Sequence, residues 1–116
     1  MTDPADLSLT EAAIALRAGT LTSRALTSAV LARIAARNPR LAAFTHIAAD
    51  ALAQADRADA MLHGDAPGPL CGIPVAVKDL IDVAGQPATC GSRVLAASIA
   101  DADAAAIARL RSQWAV

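Results

Sequence analysis

The chain has 116 residues, enough for one modest domain or part of a larger one, which excludes two full domains. Its hydrophobic fraction is 55% but its aromatic fraction only 2%, so alanine and aliphatic side chains must form the core. Ten basic and eleven acidic residues give a net charge of -1, and no basic stripe is present, which argues against direct nucleic-acid binding.

Membrane insertion, metal binding and nucleotide binding have no support in the sequence. No apolar run approaches the ~20 residues of a membrane helix, and the acidic N-terminus is unlike a signal peptide, so we expect a cytoplasmic protein. Cys71 and Cys90 are most simply reduced thiols, with a disulfide as the alternative. Together with His46 and His63 they lack metal-site spacing, and the glycines form no phosphate-binding motif. We therefore expect neither a metal nor a cofactor.

The first elements are helical. Residues 7–18 predict a short helix capped by Ser8 or Thr10 and ended by Gly19. A second, longer helix is expected from Thr22 or Ser23 to about Arg37, because apolar residues recur every four positions. The Asn-Pro dipeptide at 38–39 is expected to end it.

The middle of the chain changes character. Residues 41–47 are ambiguous between a brief strand and an extended segment. Residues 49–62 predict an alanine-rich helix with Asp50 near its start, and the Gly- and Pro-rich residues 64–69 predict a loop. Residues 73–78 are apolar up to the last position and predict a strand covered on both faces.

The last predicted element is a helix. It is expected to start at Ala102, capped by Asp101, with Ile107, Leu110 and Trp114 on one face. The fold class is thus α/β, with a helical region at 1–66 followed by a strand, loop and helix at 67–116. A buried central strand needs partners on both edges, and this sequence offers few, so the sheet is expected to be incomplete.

Lys78, at the end of the apolar run, is the best candidate for chemistry. An ammonium held against buried surface loses hydration, which lowers its pKa from about 10.4 and allows it to act as a neutral base. The structural alternative is a packed stem with the ammonium in water or paired with a carboxylate. Asp82 is better placed for such a pair than Asp79, since adjacent strand residues face opposite ways.

A family resemblance favours the chemical role. The pattern consists of Gly-Pro-Leu-Cys-Gly-Ile-Pro-Val-Ala-Val-Lys-Asp at 68–79, Ile-Asp-Val-Ala-Gly at 81–85, Thr-Cys-Gly-Ser at 89–92, Asp-Ala at 103–104, Arg-Leu-Arg at 109–111 and Asn-Pro-Arg-Leu-Ala-Ala-Phe at 38–44. It resembles the N-terminal part of the amidase signature family, and the similarity extends over nearly the whole chain. The resemblance implies one partial amidase domain at 1–116.

That family hydrolyses carboxylic amides with a Ser-Ser-Lys triad, in which one serine attacks the carbonyl and a second, on a cis peptide bond, relays the proton. The resemblance implies that Lys78 is the general base and that the substrate of the full-length enzyme is a small-molecule amide. The family's two serines and its glycine-rich oxyanion loop lie downstream of this sequence, and Ser92 and Ser98 do not replace them. Ser92 is expected to serve a turn.

Two further expectations follow. The chain alone should not hydrolyse amides. The rival hypothesis is a non-catalytic interaction module or pseudoenzyme that binds a partner through unpaired sheet edges.

Trp114 also departs from the family, because relatives commonly have glycine in the turn after the last helix, and a bulky residue should disturb that turn.

Overall fold

A computed structural model describes residues 2–116, which form helices joined by irregular segments. A short 3-10 turn, Pro4–Asp6, precedes four helices: α1 Leu9–Ala18, α2 Ser23–Leu41, α3 Ala51–Leu62 and α4 Ala105–Ser112. The described residues contain no strand. Pro87 and Ile99 form an isolated antiparallel β-bridge. None of the helices of residues 2–116 combines the length and the hydropathy that a membrane-spanning helix requires.

Both ends of α1 match the sequence pattern. The Ser8 hydroxyl accepts the Glu11 backbone N–H at 3.3 Å, and the Glu11 carboxylate accepts the Ser8 N–H at 2.8 Å. This reciprocal capping box satisfies two of the N–H groups that a helix start leaves unpaired. Gly19 ends the helix in the left-handed conformation at φ 71°, where a side chain would be strained.

The second helix begins as predicted but continues past the predicted end. The Thr22 side chain accepts the Ala25 N–H at 3.1 Å and caps α2. Pro39 lies in the last turn, and the helix ends only at Leu41. Proline is tolerated there because it removes a single backbone bond, while the Asn38 side chain accepts the Phe44 N–H and donates to its carbonyl. The predicted stop at 38–39 is therefore wrong by about one turn.

The third helix occupies the predicted range, but its start differs in detail. Asp50 precedes α3 without capping it, and its carboxylate instead accepts the Gln54 side-chain N–H at 2.9 Å. Residues 42–48 before it form an irregular connection, so the ambiguous stretch at 41–47 does not become a strand. Residues 64–69 contain no helix or strand, as the glycines and prolines predict.

The predicted strand at residues 73–78 is an extended segment without a strand ladder. Val116 N–H donates to the Ile73 carbonyl at 2.9 Å, and Val75 N–H donates to the Val116 carbonyl at 2.8 Å. These two bonds have the pattern of a parallel pair, but they involve a single partner residue. The Gly72 N–H also donates to the Trp114 carbonyl at 3.0 Å, so residues 72–75 contact residues 114–116, but these three bonds do not form a strand ladder.

The last helix starts later than predicted. It begins at Ala105, and Asp101 does not cap it. Asp103 instead accepts the Ala84 N–H at 2.8 Å and pairs with Arg111 at 3.0 Å.

Trp114 follows α4 with φ 61°, a left-handed conformation that favours glycine. The helix end is closed by hydrogen bonds from the Trp114 and Ala115 N–H groups, so the turn forms in spite of the bulky residue.

The Asp59 carboxylate of α3 joins α2 to α3. It accepts the backbone N–H of Ser23 at 2.6 Å and that of Arg24 at 3.0 Å. These N–H groups belong to the first turn of α2, where unpaired donors and the helix dipole favour a negative charge. The fully buried Ser23 hydroxyl then donates to the Gly72 carbonyl at 2.8 Å. We call the set Ser23, Asp59 and Gly72 the anchor.

Packing around the anchor positions the extended segment. Ile73 is buried with residues of α1 and α2, namely Ala12, Leu16 and Leu26. Gly72 has φ 80°, and a Cβ there would lie 3.0 Å from the Ser23 Cβ. Glycine is therefore required at this position both by backbone conformation and by space.

Beyond Ile73 the fold is open. The Cα radius of gyration is 14.8 Å, compared with about 13 Å for a compact chain of similar size. An apolar groove of about 290 Å³ runs between α2, α4 and residues 74–77, and Val75 and Val77 are each 38% exposed. The groove shows that the apolar face of this segment is only partly covered by residues 2–116.

We predict that Asp59→Ala destabilises the chain by about 1–3 kcal/mol, because it leaves two N–H groups of α2 without their charged acceptor. The matched control is Asp56→Ala, one turn earlier on α3, which removes only the exposed pair with Arg24 and should cost about 0.2–1 kcal/mol. Urea unfolding followed by circular dichroism measures both. Equal losses would contradict the role of the anchor.

Trp114→Gly and Trp114→Ala test the strained turn after α4. Both remove the indole, but only glycine relieves the left-handed conformation. The glycine variant should therefore be more stable than the alanine variant by roughly 0.5–1 kcal/mol. Glycine loses more backbone entropy on folding, but alanine carries the larger cost of holding a Cβ in the left-handed conformation. The same unfolding assay compares them, and a more stable alanine variant would refute the strain.

Candidate functional site

Lys78 ends the extended segment and begins a turn. Its carbonyl accepts the Ile81 N–H at 3.0 Å. The side chain is exposed, and among residues 2–116 it makes no ion pair within 4.0 Å. It is also the only lysine of the sequence, since the other basic residues are arginines.

The burial expected around Lys78 is absent from this part of the protein. Residues 75–78 are all exposed, because the groove beside them is open. Of the two forms of the structural alternative, the pair with a carboxylate is absent among residues 2–116, whereas the exposed side chain is consistent with an ammonium in water. Asp82 is exposed and uses its backbone carbonyl to accept the Ala104 N–H at 2.9 Å. Lys78 is therefore an unpaired ammonium beside an uncovered apolar surface in the described residues.

Asp79 does not pair with Lys78 but holds the loop that follows. Its carboxylate accepts the Thr89 backbone N–H at 2.9 Å and the Thr89 hydroxyl. Its carbonyl accepts the Cys90 N–H at 2.8 Å. The Thr89 hydroxyl, followed by the backbone N–H groups of Thr89 and Gly91, holds the pKa of Asp79 below its ordinary value of 3.8. We call these contacts the Asp79–Thr89 clamp.

The serines considered from the sequence occupy turns. The Ser92 N–H donates to the Thr89 carbonyl at 2.8 Å, and its hydroxyl accepts the Val94 N–H at 3.2 Å. This is the turn role expected for Ser92. The Ser98 carbonyl accepts the Ala88 N–H at 3.0 Å, next to the isolated bridge.

The cysteines and histidines form no common site. Cys71 is buried under α3, and this burial, with a smaller effect from Asp59, raises the pKa of its thiol, which disfavours the reactive thiolate. Cys90 is exposed, and both thiols are free. Within residues 2–116, no three His, Cys, Asp or Glu side chains are placed to hold a metal ion.

Sequence reasoning misses the partner of Asp79. Thr89 stands out in the sequence only as part of the Thr-Cys-Gly-Ser motif, and ten residues separate it from Asp79. Contacts at that separation follow no helix or strand period, so the sequence pattern holds no signal for this pair. The anchor is missed for the same reason, because Ser23 and Asp59 lie 36 residues apart.

The family model for amidases matches residues 25–116. The chain belongs to the amidase family, as the motif around Lys78 predicts. Among curated relatives, a glutamyl-tRNA(Gln) amidotransferase subunit of Chloroflexus aurantiacus is 44% identical over 118 aligned positions, which cover 100% of this chain. The protein of the same name from Roseiflexus is 45% identical over 111 positions, which cover 95% of this chain.

Solved structures agree with this assignment. The native peptide amidase from Stenotrophomonas maltophilia superposes with a TM-score of 0.89 at 37% identity and covers 97% of this chain. A structure described as a vestigial complex that reveals the origins of an s-triazine catabolic enzyme superposes with a TM-score of 0.88 at 32% identity over 95% of the chain. The helical arrangement and the extended segment thus have the course seen in amidase structures.

The match covers only part of each relative. The chain spans 24% of the length of the Chloroflexus aurantiacus relative and 24% of the peptide amidase chain. This segment accordingly represents about a quarter of the proteins that it resembles.

The clamp predicts a pH effect. Because the pKa of Asp79 in the folded chain lies below 3.8, the clamp stabilises the fold at neutral pH, and this contribution is lost as pH falls through the folded pKa. Thr89→Val removes the largest cause of the shift and should raise the pKa of Asp79 towards 3.8. Thr89→Ser keeps a hydroxyl and should retain the lowered pKa. Carboxyl NMR titration measures both, and equal midpoints would contradict the clamp.

Proposed function

We propose that this chain is the N-terminal part of an amidase domain and that Lys78 is the general base of its Ser-Ser-Lys triad. The single observation that supports this most is the amidase match over residues 25–116, which includes the Gly-Ile-Pro-Val-Ala-Val-Lys-Asp segment at 72–79. The reaction is hydrolysis of a carboxylic amide C–N bond. The two serines come from the part of the relatives that this segment does not match.

Lysine suits this role chemically. A neutral amine accepts the proton of a serine hydroxyl through the second serine while the first serine attacks the carbonyl. The proton then passes to the leaving amine as the C–N bond breaks, and an acyl-enzyme remains for water to hydrolyse. Arginine cannot perform this step because it stays protonated. Lys78 is the only lysine of the sequence, so it is the only side chain that can supply a neutral primary amine. It makes no ion pair among residues 2–116.

The open groove supports a further proposal, that residues 73–78 become the first core strand of a mixed sheet in the complete domain. Val75 and Val77 are partly exposed on the groove, and the Val75 N–H already takes part in parallel-type pairing with Val116. Packing of the remaining amidase sheet into the groove covers these valines. It also desolvates Lys78, which favours its neutral form.

The open groove also fits the rival hypothesis, a non-catalytic interaction module that binds a protein partner through the uncovered apolar surface. Such a module would place no requirement on an amine at residue 78. The identity of the side chain at this position therefore distinguishes the two hypotheses.

A chimera tests the catalytic proposal. This chain replaces the matching quarter of the Stenotrophomonas maltophilia peptide amidase, to which it superposes with a TM-score of 0.89. The chimera should hydrolyse a simple peptide amide, and Lys78→Ala should lower kcat by about 100- to 10,000-fold, the usual contribution of a general base. Lys78→Arg should be equally inactive, because the guanidinium does not release its proton.

Arg93→Ala is the matched control, since Arg93 is an exposed cation of the same region and should leave kcat unchanged. The 116-residue chain alone should not turn over the amide. An active chimera that is indifferent to Lys78→Ala, or a Lys78-dependent activity of the isolated chain, would contradict the proposal.

A further inference from the structure

Asp79 is restrained on both its side chain and its backbone. Its carboxylate accepts two hydrogen bonds from Thr89, and its carbonyl accepts one from the Cys90 N–H. Three hydrogen bonds therefore fix the residue directly after Lys78 to a loop ten positions later in the sequence. The Thr89 hydroxyl also accepts the Gly91 N–H at 3.3 Å, so the restraint continues into that loop.

Lys78 itself has no comparable restraint in residues 2–116. Its carbonyl accepts the Ile81 N–H in a turn, and its side chain is exposed. Because the ammonium sits on a flexible four-carbon stem, its location depends on the backbone that bears it. The backbone on the N-terminal side is fixed by the anchor at Gly72 and by buried Ile73. The backbone on the C-terminal side is fixed by the clamp.

The chemistry of the clamp suits a precise restraint. Hydrogen bonds to an ionised carboxylate are shorter and roughly twice as strong as neutral ones. The Asp79 carboxylate accepts two such bonds, one from the Thr89 N–H and one from the Thr89 hydroxyl. Two bonds to one residue fix the orientation of the loop as well as its distance from Asp79.

We propose that Asp79 and Thr89 form a positioning pair that fixes the backbone of Lys78 relative to the loop at 89–92 in the assembled amidase. This inference rests on the proposed function, because the pair affects the reaction only if Lys78 is its base. Neither residue touches the reacting atoms. Their effect is on the geometry of the proton transfer, where a displacement of about 1 Å costs on the order of 100-fold in rate.

The test compares variants in the amidase chimera. Asp79→Ala and Thr89→Val should each lower kcat per folded molecule by roughly 10- to 100-fold with KM unchanged, because geometry and not substrate binding is lost. Thr89→Ser, which keeps the hydroxyl, should restore most of kcat. The double variant should be no slower than Asp79→Ala alone, since both residues act through the same contact. Asp101→Ala, which removes an exposed carboxylate outside the clamp, is the control with unchanged kcat.

A second measurement is made on the 116-residue chain. Amide hydrogen exchange at Thr89 and Cys90 should be faster in Asp79→Ala than in the parent chain, and equal rates would overturn the clamp whatever the chimera does. If Lys78→Ala inactivates the chimera but Asp79→Ala and Thr89→Val do not, the positioning pair is refuted and the proposed function stands. If the chimera is active and indifferent to Lys78→Ala, the proposed function fails and the positioning pair with it.

Discussion

The Asp59 carboxylate at the first turn of α2 is the interaction on which the rest of this structure depends. It supplies a charged acceptor for the Ser23 and Arg24 N–H groups and so fixes α3 against the start of α2. The same turn presents the Ser23 hydroxyl to the Gly72 carbonyl, which places the extended segment against both helices. The aromatic fraction is only 2%, so the apolar side chains that pack around this polar contact are small.

After the anchor, the side chains of the extended segment become progressively more exposed to solvent. Ile73 is buried, whereas Val75 and Val77 are exposed along the open groove and Lys78 is exposed at the end of the segment. The Asp79–Thr89 clamp then fixes the far end of the segment. The segment is therefore held at both ends, while its middle pairs only with Val116 among residues 2–116. This arrangement supports the proposal that the segment becomes a core strand, in a chain that spans about a quarter of its amidase relatives.

Local signals in the sequence are sufficient to predict four helices and the family, but not the end of α2 or the start of α4. The capping box at Ser8 and the glycine at position 19 bound α1, and the motif around Lys78 identifies the amidases. The apolar run at 73–78 predicts a strand, but a ladder depends on partner segments that lie outside such a run. The predicted burial of Lys78 is absent for the same reason. Pro39 predicts a stop, although the Asn38 side chain stabilises the final turn of α2.

The central proposal is that residues 73–78, which pair only with Val116 among residues 2–116, become a core strand when the remaining amidase domain packs around Lys78. Backbone amide hydrogen exchange at Ala76, Val77 and Lys78 tests it most directly, in the isolated chain and in the chimera with peptide amidase. We expect rapid exchange at these three amides in the isolated chain and strong protection in the chimera, because strand pairing and burial close them to water. Equal exchange in a folded, active chimera would contradict the claim.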